Sequence, residues 1–247
     1  MPWSNQSVPP LRAIGLCAAI AWLVSAVLAV QARSPQTSAP PPSPSRENVE
    51  RSEFFVMIDP SHGGEDKGAA LGGKLLEKDV TLGLARELRK ELEERGIAAR
   101  LLRDSDTDIS LERRAELTNQ ERAAVYIALH AGPPGNGVRV YVAMLPSARS
   151  LEGRLLPWEN VQAASLRKSA ALAQAVAHDL TRTGLPVVSL TAPLRPLNNL
   201  VAPAIAVEWA TGQENTRPAE NQKTLSALAS AIAAGIVRAR PQLAVHP

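Results

Sequence analysis

Three apolar runs in this chain each end in a residue that can bind a metal or move a proton. They run into Ser61-His62-Gly63-Gly64, into Leu129-His130-Ala131-Gly132 and into Val207-Glu208-Trp209. A fourth group, Leu76-Glu77-Lys78-Asp79, stands at the entry to a helical pattern. Two histidines with one carboxylate form a common ligand set for a catalytic zinc, each donor atom approaching to about 2.0–2.2 Å. Three protein ligands leave the fourth position for water, whose pKa falls to about 7 beside the metal. A second carboxylate outside the ligand set then serves as general base and returns the proton to the leaving nitrogen. The residue types alone do not say which glutamate is which. Each residue also has an ordinary reading. A histidine after a strand is often a plain loop residue, and Glu77 suits the start of a helix dipole. Glu208 stands apart, because a carboxylate closing the buried run Ala204-Ile205-Ala206-Val207 needs a reason.

These residues converge only if the elements before them lie side by side. Phe54 to Ile58 is a short continuous apolar run ending at Asp59-Pro60, the pattern of a buried strand. Val80 to Arg95 repeats an apolar stripe at Leu84, Leu88 and Leu92, and Gly96 suits a helix C′ position. Ile97–Leu102, Ala123–Leu129, Val138–Ala143 and Ala204–Val207 read as further strands. Ser110 can cap a helix running to about Asn119. Ala163–Thr183, closed by Gly184, and Thr224–Ala239, stopped by Pro241, read as two more helices. This alternation predicts an α/β fold: one domain, with a twisted, mostly parallel central sheet of about six strands and helices on both faces. Ligands of such sheets sit outside the carboxyl ends of the strands, where His62, His130 and Glu208 fall.

Composition narrows the function classes. The chain has 247 residues, 45% hydrophobic and 21% charged, enough for a globular core. Its single cysteine, Cys17, excludes a disulfide scaffold and a zinc site built from thiolates. The net charge is +3, and Arg12, Arg33, Arg46 and Glu47 place two of those excess charges before residue 49. A basic pI of 9.3 therefore makes no case for nucleic acid, and 3% aromatics argue against stacking on single strands. Residues 13–30 carry no charge and follow Arg12, and Val30-Gln31-Ala32 resembles a signal-peptidase site. Residues 1–32 thus read as a signal peptide or an N-terminal membrane anchor. Residues 33–51 form a Pro/Ser-rich linker, 52–240 the folded domain and 241–247 a tail. Either N-terminal reading puts the domain in the periplasm or cell envelope, anchored to the inner membrane through residues 13–30 if the segment stays uncleaved.

Several motifs together resemble one family. Ile58-Asp59-Pro60-Ser61-His62-Gly63-Gly64 followed by Leu76-Glu77-Lys78-Asp79 is similar to the opening of the zinc-dependent N-acetylmuramoyl-L-alanine amidases of the amidase 3 family, which are bacterial peptidoglycan hydrolases. Arg103-Asp104-Ser105-Asp106, Ser110 to Arg114 with Asn119, Ala128 to Ala131, Gly137 to Tyr141, Leu194-Arg195 and Pro203 to Glu208 resemble further segments in the family's order. The resemblance spans about residues 54–238. It implies one zinc ion held by His62, Glu77 and His130, with Glu208 as the catalytic glutamate. Arg195 corresponds to an arginine near the site that would orient substrate or Glu208. The implied reaction is hydrolysis of the amide between N-acetylmuramic acid and L-alanine in peptidoglycan, during wall remodelling or daughter-cell separation. Peptidoglycan is the implied partner, and there is room for an envelope activator protein. The alternative is a catalytically weak amidase-like domain that binds peptidoglycan or a division partner. Ser61 stands where the family usually has glycine, Gly132 where it has asparagine, and Trp209 opens a run unlike the family's apolar one. Residues 145–162 match no motif.

Overall fold

A computed structural model describes residues 54–72, 75–132, 135–145, 158–210 and 222–243. The expectations for residues 1–51, for most of 145–162, for 211–215 and for the last four residues lie outside the described residues. Six strands make the main sheet: β1 (Phe55–Pro60), β4 (Ala98–Leu101), β5 (Val125–Gly132), β6 (Gly137–Ala143), β7 (Val187–Ala192) and β8 (Ala204–Ala210). Their spatial order is β4-β1-β5-β8-β6-β7. β4, β1, β5 and β8 run parallel, while β6 pairs antiparallel with β8 and parallel with β7. A two-stranded ribbon of β2 (Ala70–Gly72) and β3 (Leu75–Leu76) lies between β1 and the first helix.

Four α-helices cover the sheet: α1 (Glu77–Glu94), α2 (Leu111–Gln120), α3 (Leu166–Leu180) and α4 (Gln222–Leu243). Strand alternation sorts the core into two faces. Val56, Ile58, Ile127, Leu129, Ile205 and Val207 pack on one side against Leu84, Leu88 and Leu92 of α1, Leu172 and Val176 of α3, and Ile232 and Ile236 of α4. Met57, Tyr126, Ala128, Ala204 and Ala206 face the other side, against Ala115 of α2 and Leu197 and Leu200.

Element limits differ from the sequence expectation in four places. α1 begins at Glu77, three residues before Val80, so Glu77, expected at the helix entry, is its first residue. The expected helix 163–183 is a 3-10 helix over Trp158–Ala164, then α3, then a 3-10 turn over Thr181–Thr183. α4 runs two residues past Pro241, where the expectation had stopped it. β7 is an edge strand with Val188 and Leu190 exposed; its apolar run lies between Pro186 and Pro193 and carries no alternation that marks a buried face. Ser110 caps α2 by accepting from the Arg113 amide at 3.2 Å, as its type predicts. Among the described residues no helix is long and apolar enough to cross a membrane.

Candidate metal centre

His62 is delivered by the loop leaving β1, Glu77 by the first residue of α1, and His130 by the end of β5. One donor atom from each lies within 4.8 Å of the others. Glu77 is the hub. Its Oε2 is 3.2 Å from His62 Nε2, and its Oε1 is 3.0 Å from His130 Nδ1. The backbone amides of Ala69 and Ala131 also donate to it, at 2.9 and 3.1 Å. Burial pushes the Glu77 carboxyl up, but hydrogen bonds from His130, His62 and Ala69 outweigh it and hold the group well below the usual carboxylate range. Hydrogen bonding to Glu77, opposed by burial and helped by Asp66, raises His62 above its ordinary value. A buried carboxylate between two imidazoles is a donor set suited to a cation.

The far nitrogen of each histidine is also engaged. His62 Nδ1 lies 2.8 Å from Asp66 Oδ2, and His130 Nε2 lies 2.9 Å from Ser61 Oγ. With the ring protons on those outer nitrogens, His62 Nε2 and His130 Nδ1 can give their lone pairs to a cation in place of the hydrogen bonds they otherwise make to Glu77. Such outer hydrogen bonds are how metal-binding histidines are normally oriented. The donor set and its orientation therefore fit a zinc ion. Ser61, which departs from the family's glycine, does not have a positive φ, so its side chain carries no backbone strain.

The loop itself is held under constraint. His62 adopts φ +64, unusual for a residue with a Cβ. Two buried arginines grip the carbonyls around it. Arg103 donates to Pro60 and Ser61 at 2.9 and 3.2 Å, and Arg114 to Pro60 and His62 at 3.2 and 3.0 Å. Arg114 also pairs with buried Asp59, whose other oxygen accepts from the Tyr126 hydroxyl. Gly68, at φ +62, is needed because a Cβ there would come within 2.7 Å of both Glu77 Oε2 and His62 Cδ2.

Glu208 sits on β8 directly across from His130 of β5 and Arg139 of β6. Cross-strand partners share a face, so all three side chains rise from the side of the sheet that carries Tyr126, Ala128 and Ala206. Glu208 Oε2 accepts from the Tyr141 hydroxyl at 2.7 Å, and Oε1 is 3.2 Å from Arg139 Nη1. Arg195 was expected to orient substrate or Glu208. Its Nη1 instead meets Glu112 of α2 at 3.5 Å, and the arginine against Glu208 is Arg139. Sequence reasoning missed Arg139, Tyr141 and Asp66 as site residues. The signal for the first two was their i, i+2 spacing on one strand face, but the pairing of β6 with β8 skips β7 in chain order and is invisible in sequence. His178 is largely exposed beside Asp179, and Trp158 is half exposed.

Comparison with known proteins agrees with this geometry. The profile of the N-acetylmuramoyl-L-alanine amidase family matches residues 56–238. The germination-specific N-acetylmuramoyl-L-alanine amidase of Bacillus subtilis is 42% identical over 90 residues, covering 31% of this chain and 38% of that protein. The amidase AmiA of Salmonella typhimurium is 34% identical over 149 residues, covering 57% and 52%. The chain thus spans about half or less of the length of these relatives. Among solved structures, the amidase AmiC2 of Nostoc punctiforme aligns with a TM-score of 0.61 at 28% identity, over 75% of this chain and 96% of that one. With its profile match over most of the folded part, the chain belongs to the N-acetylmuramoyl-L-alanine amidase family.

Proposed function

We propose that this chain hydrolyses the amide joining the lactyl group of N-acetylmuramic acid to the L-alanine of the peptidoglycan stem peptide. The observation that carries the reading is the His62–Glu77–His130 donor cluster with Glu208 one strand away on the same face. His62, Glu77 and His130 would hold zinc. When bound, the ion supplies Lewis-acid polarisation of the scissile carbonyl and a water acidified towards neutral pH. Glu208 accepts the proton of the attacking water as the carbonyl carbon turns tetrahedral. It then returns that proton to the amine of L-alanine as the C–N bond breaks. Lys78, buried against Asp106 and the Gly64 carbonyl, fixes the wall of the His62 loop. Arg195, more than half exposed on the segment that packs against the α2 face, is the residue we assign to orienting the substrate.

Residues 13–30 and the linker after them are read as the device that delivers residues 52–240 to the cell envelope as a catalytic domain. The test is digestion of purified peptidoglycan with and without chelator, followed by mass analysis. Stem peptides with a free L-alanine amine, lost on chelation, are expected. Cleavage within peptides alone would overturn the assignment. Glu208→Gln should keep zinc at one equivalent and slow release by roughly 10²–10⁴-fold, the usual worth of a positioned acid/base.

A further inference from the structure

We propose that Arg139 and Tyr141 are positioning residues that fix the Glu208 carboxylate for proton transfer, an inference that rests on Glu208 being the base. A glutamate side chain carries several rotatable bonds, and an exposed one samples many directions. Here each oxygen is engaged by a different group, Oε1 in an ion pair and Oε2 in a hydrogen bond. Arg139 Nη1 lies 3.2 Å from Oε1, and the Tyr141 hydroxyl donates to Oε2 at 2.7 Å. Both donors come from β6 at i and i+2, so one rigid strand sets both. The register places Arg139 opposite Glu208 and Tyr141 opposite Ala206, whose small side chain leaves the ring room to lean towards Glu208. Each carboxylate oxygen has two lone pairs, so one donor apiece still leaves a position for the water.

Two further features support the arrangement. Gly135, in the turn before β6, has φ +88, and a Cβ there would lie 2.8 Å from Arg139 Nη2, so the turn leaves room for the guanidinium. Burial and Glu208 together push the Tyr141 hydroxyl up to about 12, which keeps it a donor at working pH. None of these groups belongs to the His62–Glu77–His130 cluster, so their loss need not disturb the metal.

The test is a set of double-mutant cycles in the full chain, read as kcat and KM on soluble muropeptides beside zinc stoichiometry and melting temperature. Arg139→Gln and Tyr141→Phe should each lower kcat roughly ten- to hundredfold, the scale of a misplaced catalytic group. KM should stay within about twofold and zinc at one equivalent, and Arg139→Lys should recover part of the rate. In the Glu208→Gln background both substitutions should have no further effect on the residual rate. Unchanged kcat in both single variants, or the same fold loss without Glu208, would overturn positioning while leaving Glu208 as base. A Glu208→Gln enzyme at full rate would overturn the base assignment and this inference with it.

Discussion

At the scale of single residues, the centre depends on which nitrogen of each histidine is left open. Asp66 and Ser61 decide that. Ser61 is the more telling of the two, because the family usually has glycine there and the hydroxyl is 2.9 Å from His130 Nε2. Removing a hydrogen bond of this kind typically costs 10–100-fold in metal affinity. Ser61→Ala should therefore weaken zinc about tenfold in a competition titration, with the fold unchanged because Ser61 has ordinary backbone dihedrals. An unchanged affinity would mean that His130 is oriented by Glu77 alone. Residue types after apolar runs singled out the two histidines and Glu208, since a carboxylate closing a buried run is costly without a task. Types alone left open which glutamate joins the histidines, and the family resemblance named Glu77. The structure places Glu77 within 3.2 Å of both histidines and Glu208 against β6.

Between elements, the site is a junction of β1, α1, β5 and β8, clamped from beneath by α2. The strands and the apolar stripe of α1 can be read directly from periodicity, because burial on one face imposes it. The clamp cannot. Arg114 looks like an ordinary charged residue of an amphipathic helix, yet it is 3% exposed and reaches Asp59, Pro60 and His62 at the end of β1. Removing one partner of a buried ion pair costs about 3–5 kcal/mol. Arg114→Met should lower unfolding free energy by that amount in denaturant titration and weaken zinc as well, since the His62 carbonyl loses its donor. A second inter-element tie, between α3 and α4, has no part in the site. Asp179 accepts two hydrogen bonds from Arg238, both at 2.9 Å, and these lower its pKa. A lowered folded value means the tie stabilises above the ordinary carboxylate value of 3.8 and is lost as pH falls below it. Asp179→Asn should therefore lower the melting temperature at pH 7, and the gap to the parent should close in acid. A gap that persists in acid would assign the effect to packing instead.

For the folded domain as a whole, the metal should act as a staple. The three proposed ligands come from separate elements spread between residues 62 and 130, brought together only in the native fold. The unfolded chain has no preformed site, so binding free energy adds to folding free energy. Zinc at a hundred times its dissociation constant adds about 2.7 kcal/mol. For a domain of this size each kcal/mol moves the melting temperature by about 2–4 °C, so the expected gain is about 5–10 °C. Chelation should remove it. Glu77→Gln should abolish the zinc-dependent gain, because the hub loses the charge that binds the ion. Glu208→Gln should keep the gain in full while losing catalysis. That pair of outcomes separates the ligand from the base in one thermal experiment, without any substrate. If Glu208→Gln also lost the zinc-dependent shift, Glu208 would have to be counted among the ligands and the acid/base role sought elsewhere on the same face.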